Sequence, residues 1–106
     1  MLHGGLIRVF ISQPMNGLSE KEIMVERKKA IKDIAIYLNS LGYYNIEILN
    51  TYFDLDENSK PLHYLAKSIE ILADADIVYF VEGWESARGC KIEETCAREY
   101  GIECIY

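Results

Sequence analysis

Apolar and polar positions change their period in blocks along this chain, and the blocks predict alternating strands and helices. Leu6 to Ser12 is a β-branched and aromatic run broken only by Arg8, the profile of a buried strand. Gln13-Pro14-Met15-Asn16-Gly17 follows as a turn. From Ser19 the period lengthens to that of a helix. Ser19 and Glu22 form a capping box, in which hydroxyl and carboxylate satisfy each other's backbone donors. Ile31, Ile34, Ala35, Leu38 and Leu41 supply its buried stripe, and Gly42 the left-handed residue that ends it. Asn45 to Leu49 reads as a second strand and Thr51 to Lys60 as a polar, acidic loop. Pro61 suits the first turn of a second helix with Leu62, Leu65, Ala66, Ile69, Leu72 and Ala73 facing inward. Asp76 to Val81 is a third strand, and Gly83-Trp84-Glu85-Ser86 a loop. Ala87 to Tyr100 is a third helix closed by Gly101, and Ile102 to Tyr106 a fourth strand.

This alternation with short connections predicts an α/β fold: one domain over residues 1–106, with Met1 to Gly5 a frayed lead-in. Right-handed crossovers and one reversal give a doubly wound, flavodoxin- or Rossmann-like parallel sheet in strand order 2-1-3-4. Ligands of such sheets bind beyond the carboxyl ends of the strands where the winding reverses, here between the first and third strands. The search for function therefore narrows to Ser12 to Gly17, Glu82 to Ser86 and the helices they open.

Composition removes several classes of partner. The formal net charge is −6, and the longest basic cluster is Arg27-Lys28-Lys29. That trio lies in a Glu-rich helical stretch and reads as a solvated face. A polymeric nucleic acid partner needs a concentrated basic surface and is not expected. The three cysteines, Cys90, Cys96 and Cys104, lack CxxC spacing, and the two histidines, His3 and His63, lie far apart. No metal site and no cofactor is expected, and free thiols fit a reducing cytoplasm. Asp54, Asp56 and Asn58 have calcium-loop spacing, but Ser59 stands where the turn glycine belongs and Leu65 where the bidentate Glu belongs. The first apolar run is too short for a signal-peptide core, and no stretch approaches the ~20 apolar residues of a membrane span. The eight tyrosines suit either a subunit contact or ordinary core packing.

One residue is out of pattern. Projected at about 100° per residue, Gly89, Cys90, Ile92, Cys96, Ala97 and Tyr100 share an apolar arc of the third helix, with Glu93 near its centre. A carboxylate there is costly unless paired, hydrogen-bonded or facing a cavity. The alternatives are a functional carboxylate on the pocket floor and a buried Glu paired with an Arg or with hydroxyls such as Ser12. At the start of the same helix, Ser86, Arg88 and Gly89 make a candidate anion site, where free N–H groups and the helix dipole attract a phosphate; a plain N-cap serine is the alternative. Trp84, the lone tryptophan, either stacks on a base or packs in the ordinary way.

Phe10-Ile11-Ser12-Gln13-Pro14-Met15-Asn16-Gly17 resembles the first-strand motif of the nucleoside 2-deoxyribosyltransferase-like superfamily. Ala73-Asp74-Ala75-Asp76-Ile77-Val78 is similar to its segment with an aspartate before the third strand, and Gly83 to Glu93 to its glycine-rich turn leading to a helical Glu. The resemblance is nearest to a branch, often phage-borne, with Gly-Trp and Arg-Gly ahead of that Glu. It implies N-glycosidic chemistry on a small-molecule nucleoside or nucleotide. Glu93 maps onto the carboxylate that attacks the anomeric carbon and releases the base, after which a second base or water resolves the glycosyl-enzyme with retention. Trp84 would then contact base or sugar, and Ser86, Arg88, Gly89 and the strand end and turn from Ser12 through Gln13, Pro14, Met15, Asn16 and Gly17 would hold the sugar or a 5′-phosphate. The family also implies a homo-oligomer. Three departures stand out: Ser68 where an aspartate is usual on the second helix, Ala87 where the transferases place another, and no counterpart to their carboxyl-terminal extension after the fourth strand. Glu82 and Glu85 are then the nearest candidates to protonate the leaving base.

A glycosidase or deoxyribosyltransferase is thus the leading reading. The alternative is a non-catalytic nucleotide-binding or regulatory module of the same fold. A nicotinamide-cleaving domain is a third, since it too can use a helical Glu. A receiver-type phosphoacceptor is excluded, because Ser12-Gln13 and Glu82-Gly83 stand where its acids belong.

Overall fold

A computed structural model describes residues 5–106; of the expected lead-in, residues 1–4 lie outside the described residues and Gly5 is exposed. Four strands, β1 (Ile7–Ser12), β2 (Ile46–Ile48), β3 (Ile77–Phe80) and β4 (Glu103–Ile105), form one all-parallel sheet in the order β2-β1-β3-β4. The helices are α1 (Glu20–Ser40), α2 (Pro61–Leu72) and α3 (Arg88–Glu99), with a 3-10 turn at Trp84–Ser86 ahead of α3. This is the doubly wound α/β architecture and strand order that the alternation predicts. Although β2 is short, Ile7 N–H donates to Asn45 O and Leu49 N–H to Val9 O, so backbone pairing reaches both ends of the expected strand.

Side-chain alternation along β1 divides the core in two. Val9 and Ile11 pack with Ile77 and Val81 against Ala30, Ile34 and Leu38 of α1. Phe10 packs on the other face with Val78, Phe80, Leu72 of α2 and Ala97 of α3. Ser12 follows Phe10 on that second face and is buried, which places its hydroxyl among α2 and α3. The period of two thus decides which helices the first strand's last residue meets.

Two helices are rotated from their expected faces. The buried residues of α1 are Ile23, Ala30, Ile34 and Leu38, while Ile31 and Leu41 are exposed. The spacing from 23 to 30 leaves Arg27 on the same stripe, and Arg27 is half-buried rather than part of a solvated trio. Its guanidinium donates to Thr51 Oγ1 and to Leu49 O, each at 3.0 Å, while its stem covers apolar surface. In α2 only Leu72 is fully buried; Leu62, Ala66 and Ala73 are exposed, and Tyr64, Leu65, Ser68 and Ile69 form the half-buried face. Small alanines do not decide a helix's orientation when larger side chains compete for the sheet.

Local chemistry explains the element ends. Ser19 caps α1 with the full capping box: Glu22 N–H donates to Ser19 Oγ and Ser19 N–H to Glu22 Oε1, both at 3.1 Å. Asp76 sits just before β3 and grips the start of β1 twice. Its Oδ2 accepts from Arg8 N–H, and its own N–H donates to Arg8 O, both at 2.8 Å. That pair of bonds sets the β1–β3 register and so aligns the two strand ends that flank the reversal.

Candidate functional site

A cleft of about 1330 Å³ opens at those carboxyl ends. The β1–α1 turn and the first turn of α3 border it, with the β2–α2 loop and one face of α2. Glu93 lies in its lining with 8% of its surface exposed. It reaches that place because Cys90, Glu93 and Ala97, spaced by three and four, form the inward stripe of α3. Ser12 Oγ donates to Glu93 Oε1 at 2.7 Å. The hydroxyl of Ser68, from α2, is a second hydrogen-bond partner. Among the described residues no cation pairs with Glu93, so of the structural alternatives the hydroxyl partnership is the one observed.

Burial pushes the Glu93 carboxyl up to about 7, against the two serine hydroxyls, which favour the charged form. At neutral pH the group is therefore divided between carboxylate and acid. One turn back, burial pushes the Cys90 thiol up to about 11, with a lowering from Ser12 and a further rise from the Glu93 charge. A thiol held so far from ionisation is a packing group at neutral pH, not a nucleophile.

Of the other sequence-derived candidates, Gln13, Pro14, Met15, Asn16, Ser86, Arg88 and Gly89 line this cleft together with Glu93. Ser12 stands behind Glu93 as its hydrogen-bond donor. Gly17 lies outside the lining and closes the turn at φ +82°, a conformation glycine adopts without steric cost. Trp84 also lies outside it. Its ring packs against Phe80 and Tyr106, with centroids 5.0 and 5.5 Å away, so packing is the alternative that the structure shows. Ser86 is not the helix cap; that position belongs to Ala87, whose side chain offers no acceptor. The first N–H groups of α3 thus have no side-chain cap, which favours an anion beside Arg88 and Gly89. Glu82 lines a smaller neighbouring cleft of about 500 Å³, and Glu85 lines neither. The two clefts share Gln13, Pro14 and Gly83. Between them Gln13 donates Nε2 to Ile23 O at 2.7 Å, while its Oε1 is buried without a partner.

Sequence reading missed the wall opposite the turn. Tyr52, Phe53, Asp54, Lys60 and Tyr64 all line the large cleft. Phe53 and Tyr64 lie with their rings 7° from parallel and 6.0 Å apart. Tyr52 and Phe53, two aromatics in a loop whose other residues are all polar or charged except Leu55, were the available signal, since a solvated loop has no need of them. Among the described residues no group of three or more His, Cys, Asp or Glu side chains could hold a metal ion. No helix among them is long and apolar enough to cross a membrane.

The profile of one family, described as a domain of unknown function (DUF4406), matches residues 7–106. The chain belongs to that family. Its match takes in the whole sheet, all three helices and every residue named above as lining the large cleft. No curated protein and no solved structure gives a significant match.

Proposed function

We propose that this DUF4406 domain cleaves or transfers at the N-glycosidic bond of a nucleoside or nucleoside 5′-monophosphate, with Glu93 as the nucleophile. The observation that carries the reading is a buried carboxylate on the lining of a cleft with room for a nucleotide, held by hydroxyls and not by a cation. A buried ion pair would have spent the charge on structure. A carboxylate held only by neutral hydroxyls stays available to a carbon that gains positive charge as the base departs. Glu93 attacks the anomeric carbon, the C–N bond breaks, and the bonding pair leaves with the base. Water or a second base then displaces Glu93 from the ester, the first giving a hydrolase and the second a transferase. Arg88, Gly89 and the uncapped N–H groups of α3 suit a 5′-phosphate, and the turn Gln13 to Asn16 suits the sugar. The similarity of the β1, β3 and α3 segments to the nucleoside 2-deoxyribosyltransferase-like superfamily agrees with this chemistry.

The same reading gives small nucleosides or nucleotides as ligands, a cytoplasmic setting in which all three thiols stay free, and self-association. Exposed Val25, Ile36 and Tyr37 on α1 support the last. A binding module without turnover is favoured by two placements: Ser68 beside Glu93, and Glu85 away from the cleft. Chromatography of free base separates the two. The protein is incubated with ribo- and deoxyribonucleosides, their 5′-monophosphates and a nicotinamide dinucleotide, with and without acceptor base. Base released by the wild type and not by Glu93→Gln supports the glycosidic reading. No release from any substrate by the folded wild type refutes it and leaves the binding module.

A further inference from the structure

We propose that Asp54 reads the base and selects guanine; this inference rests on the nucleotide reading of the cleft. The cleft has two carboxylates in its lining, Glu93 and Asp54. The first has serine partners; the side chain of Asp54 is exposed, accepts no hydrogen bond and enters no ion pair among the described residues, its one charge interaction being with the neighbouring Tyr52. Asp54 is nonetheless carried on a fastened stretch of chain. On one side, Arg27 donates to Thr51 Oγ1, Thr51 Oγ1 donates to Ile11 O at 3.2 Å, and Tyr52 N–H donates to Asn50 Oδ1 at 3.2 Å. On the other, Leu55 N–H donates to Tyr64 OH at 3.3 Å. Phe53, the residue before Asp54, stacks on Tyr64. An exposed carboxylate with no hydrogen-bond or ion-pair partner is therefore tethered beside an aromatic wall in the same cleft.

An aromatic wall takes a flat ring, because every base presents a π-face to stack. The carboxylate then decides which base. Ionised, it presents two acceptor oxygens and no donor. Its best complement is an edge with two adjacent N–H donors, which can be met by two parallel bonds. Guanine offers that edge, through N1–H and the 2-amino group. Hypoxanthine has N1–H alone, and adenine and cytosine set a ring-nitrogen acceptor beside their amino group. Uracil and thymine flank their single N–H with carbonyls. An acceptor facing Asp54 would lose its hydration and gain repulsion, so the discrimination comes from rejection as much as from attraction.

The test uses Glu93→Gln protein, which does not consume the ligand, and measures its affinity for the 5′-monophosphates of deoxyguanosine, deoxyinosine and deoxyadenosine by calorimetry. Deoxyguanosine monophosphate is expected to bind about 10- to 100-fold more tightly than the inosine analogue, which lacks one charge-assisted bond. In the double variant with Asp54→Asn, the three affinities should draw together, by loss of the guanine preference and not by a uniform weakening. Equal affinities before Asp54 is changed, or a guanine preference that survives Asp54→Asn and Asp54→Ala, would overturn the assignment while leaving the nucleotide reading in place. Binding of none of the three by folded protein would overturn both.

Discussion

Replacing Glu93 with glutamine should make the protein more stable, and only above a particular pH. Burial raises the Glu93 carboxyl from its ordinary 4.5 to about 7, which corresponds to roughly 3 kcal/mol of preference for the neutral form in the folded state. The folded chain therefore binds more protons than the unfolded one between these two values, and stability from this group falls as pH rises through that window. The contribution is fully present below pH 4.5 and is gone above about 7. Glutamine keeps the volume, can still accept from Ser12 Oγ and carries no charge at any pH. Glu93→Gln should thus match the wild type near pH 4.5 and exceed it by about 2–3 kcal/mol at pH 8.5, or roughly 10 °C in Tm for a chain of this size. Urea unfolding of both proteins across that range measures the difference, in which every other titrating group cancels. A difference that stays flat with pH would show that Glu93 is solvated and ordinary, and a wild type more stable at high pH would mean that a cation holds the carboxylate. Either result would remove the physical basis for placing Glu93 at the centre of the site.

Removing the Ser12 hydroxyl takes away the larger of the two hydrogen-bond effects that favour the charged form. In Ser12→Ala the Glu93 carboxyl should rise above its value of about 7, and the midpoint of the pH–rate profile for base release should move up by about one pH unit. Phe53→Ala and Trp84→Ala should separate ligand binding from packing. The first is expected to weaken nucleotide binding about 5- to 100-fold at nearly unchanged stability. The second should cost about 2–3 kcal/mol in urea unfolding and leave nucleotide affinity unchanged, because its ring faces Phe80 and Tyr106.

The contrast between these two aromatics shows what a linear pattern carries. Strand order, the Ser19 cap and the inward position of Glu93 were legible because each follows from a period or a local bond: β-branched runs, an S-x-x-E box, one carboxylate on an apolar arc. The meeting of Ser12 with Glu93 was half legible, since alternation assigns Ser12 a face but not which helix covers it. Trp84 and Phe53 could not be told apart, because both are aromatics in short polar loops and only tertiary packing decides which meets its own core. Arg27 misled for the same reason. Charge argued for solvent, yet its position on the Ile23–Ala30–Ile34 stripe argued for burial, and carbonyl and hydroxyl partners from the segment after β2 settled the matter.

The two carboxylates of the cleft belong to parts of the chain with different tolerance for change. Glu93 is built into the packed face of α3, with its donor on the central strand β1, so any alteration there propagates into the core. Asp54 belongs to the connection after β2, the strand at one border of the sheet, and that connection is fastened by Thr51 and Tyr52 on one side of Asp54 and by Leu55 on the other. Exposed positions of this loop, Asp54 among them, can thus be exchanged at small cost to folding, as loop positions generally can, provided that Phe53 and the Leu55 backbone bond to Tyr64 are kept. On the proposed reading of the cleft, ligand preference would drift between relatives while the Glu93 carboxylate stays where it is, and an exchange of that one loop position would be the shortest route to a new base preference.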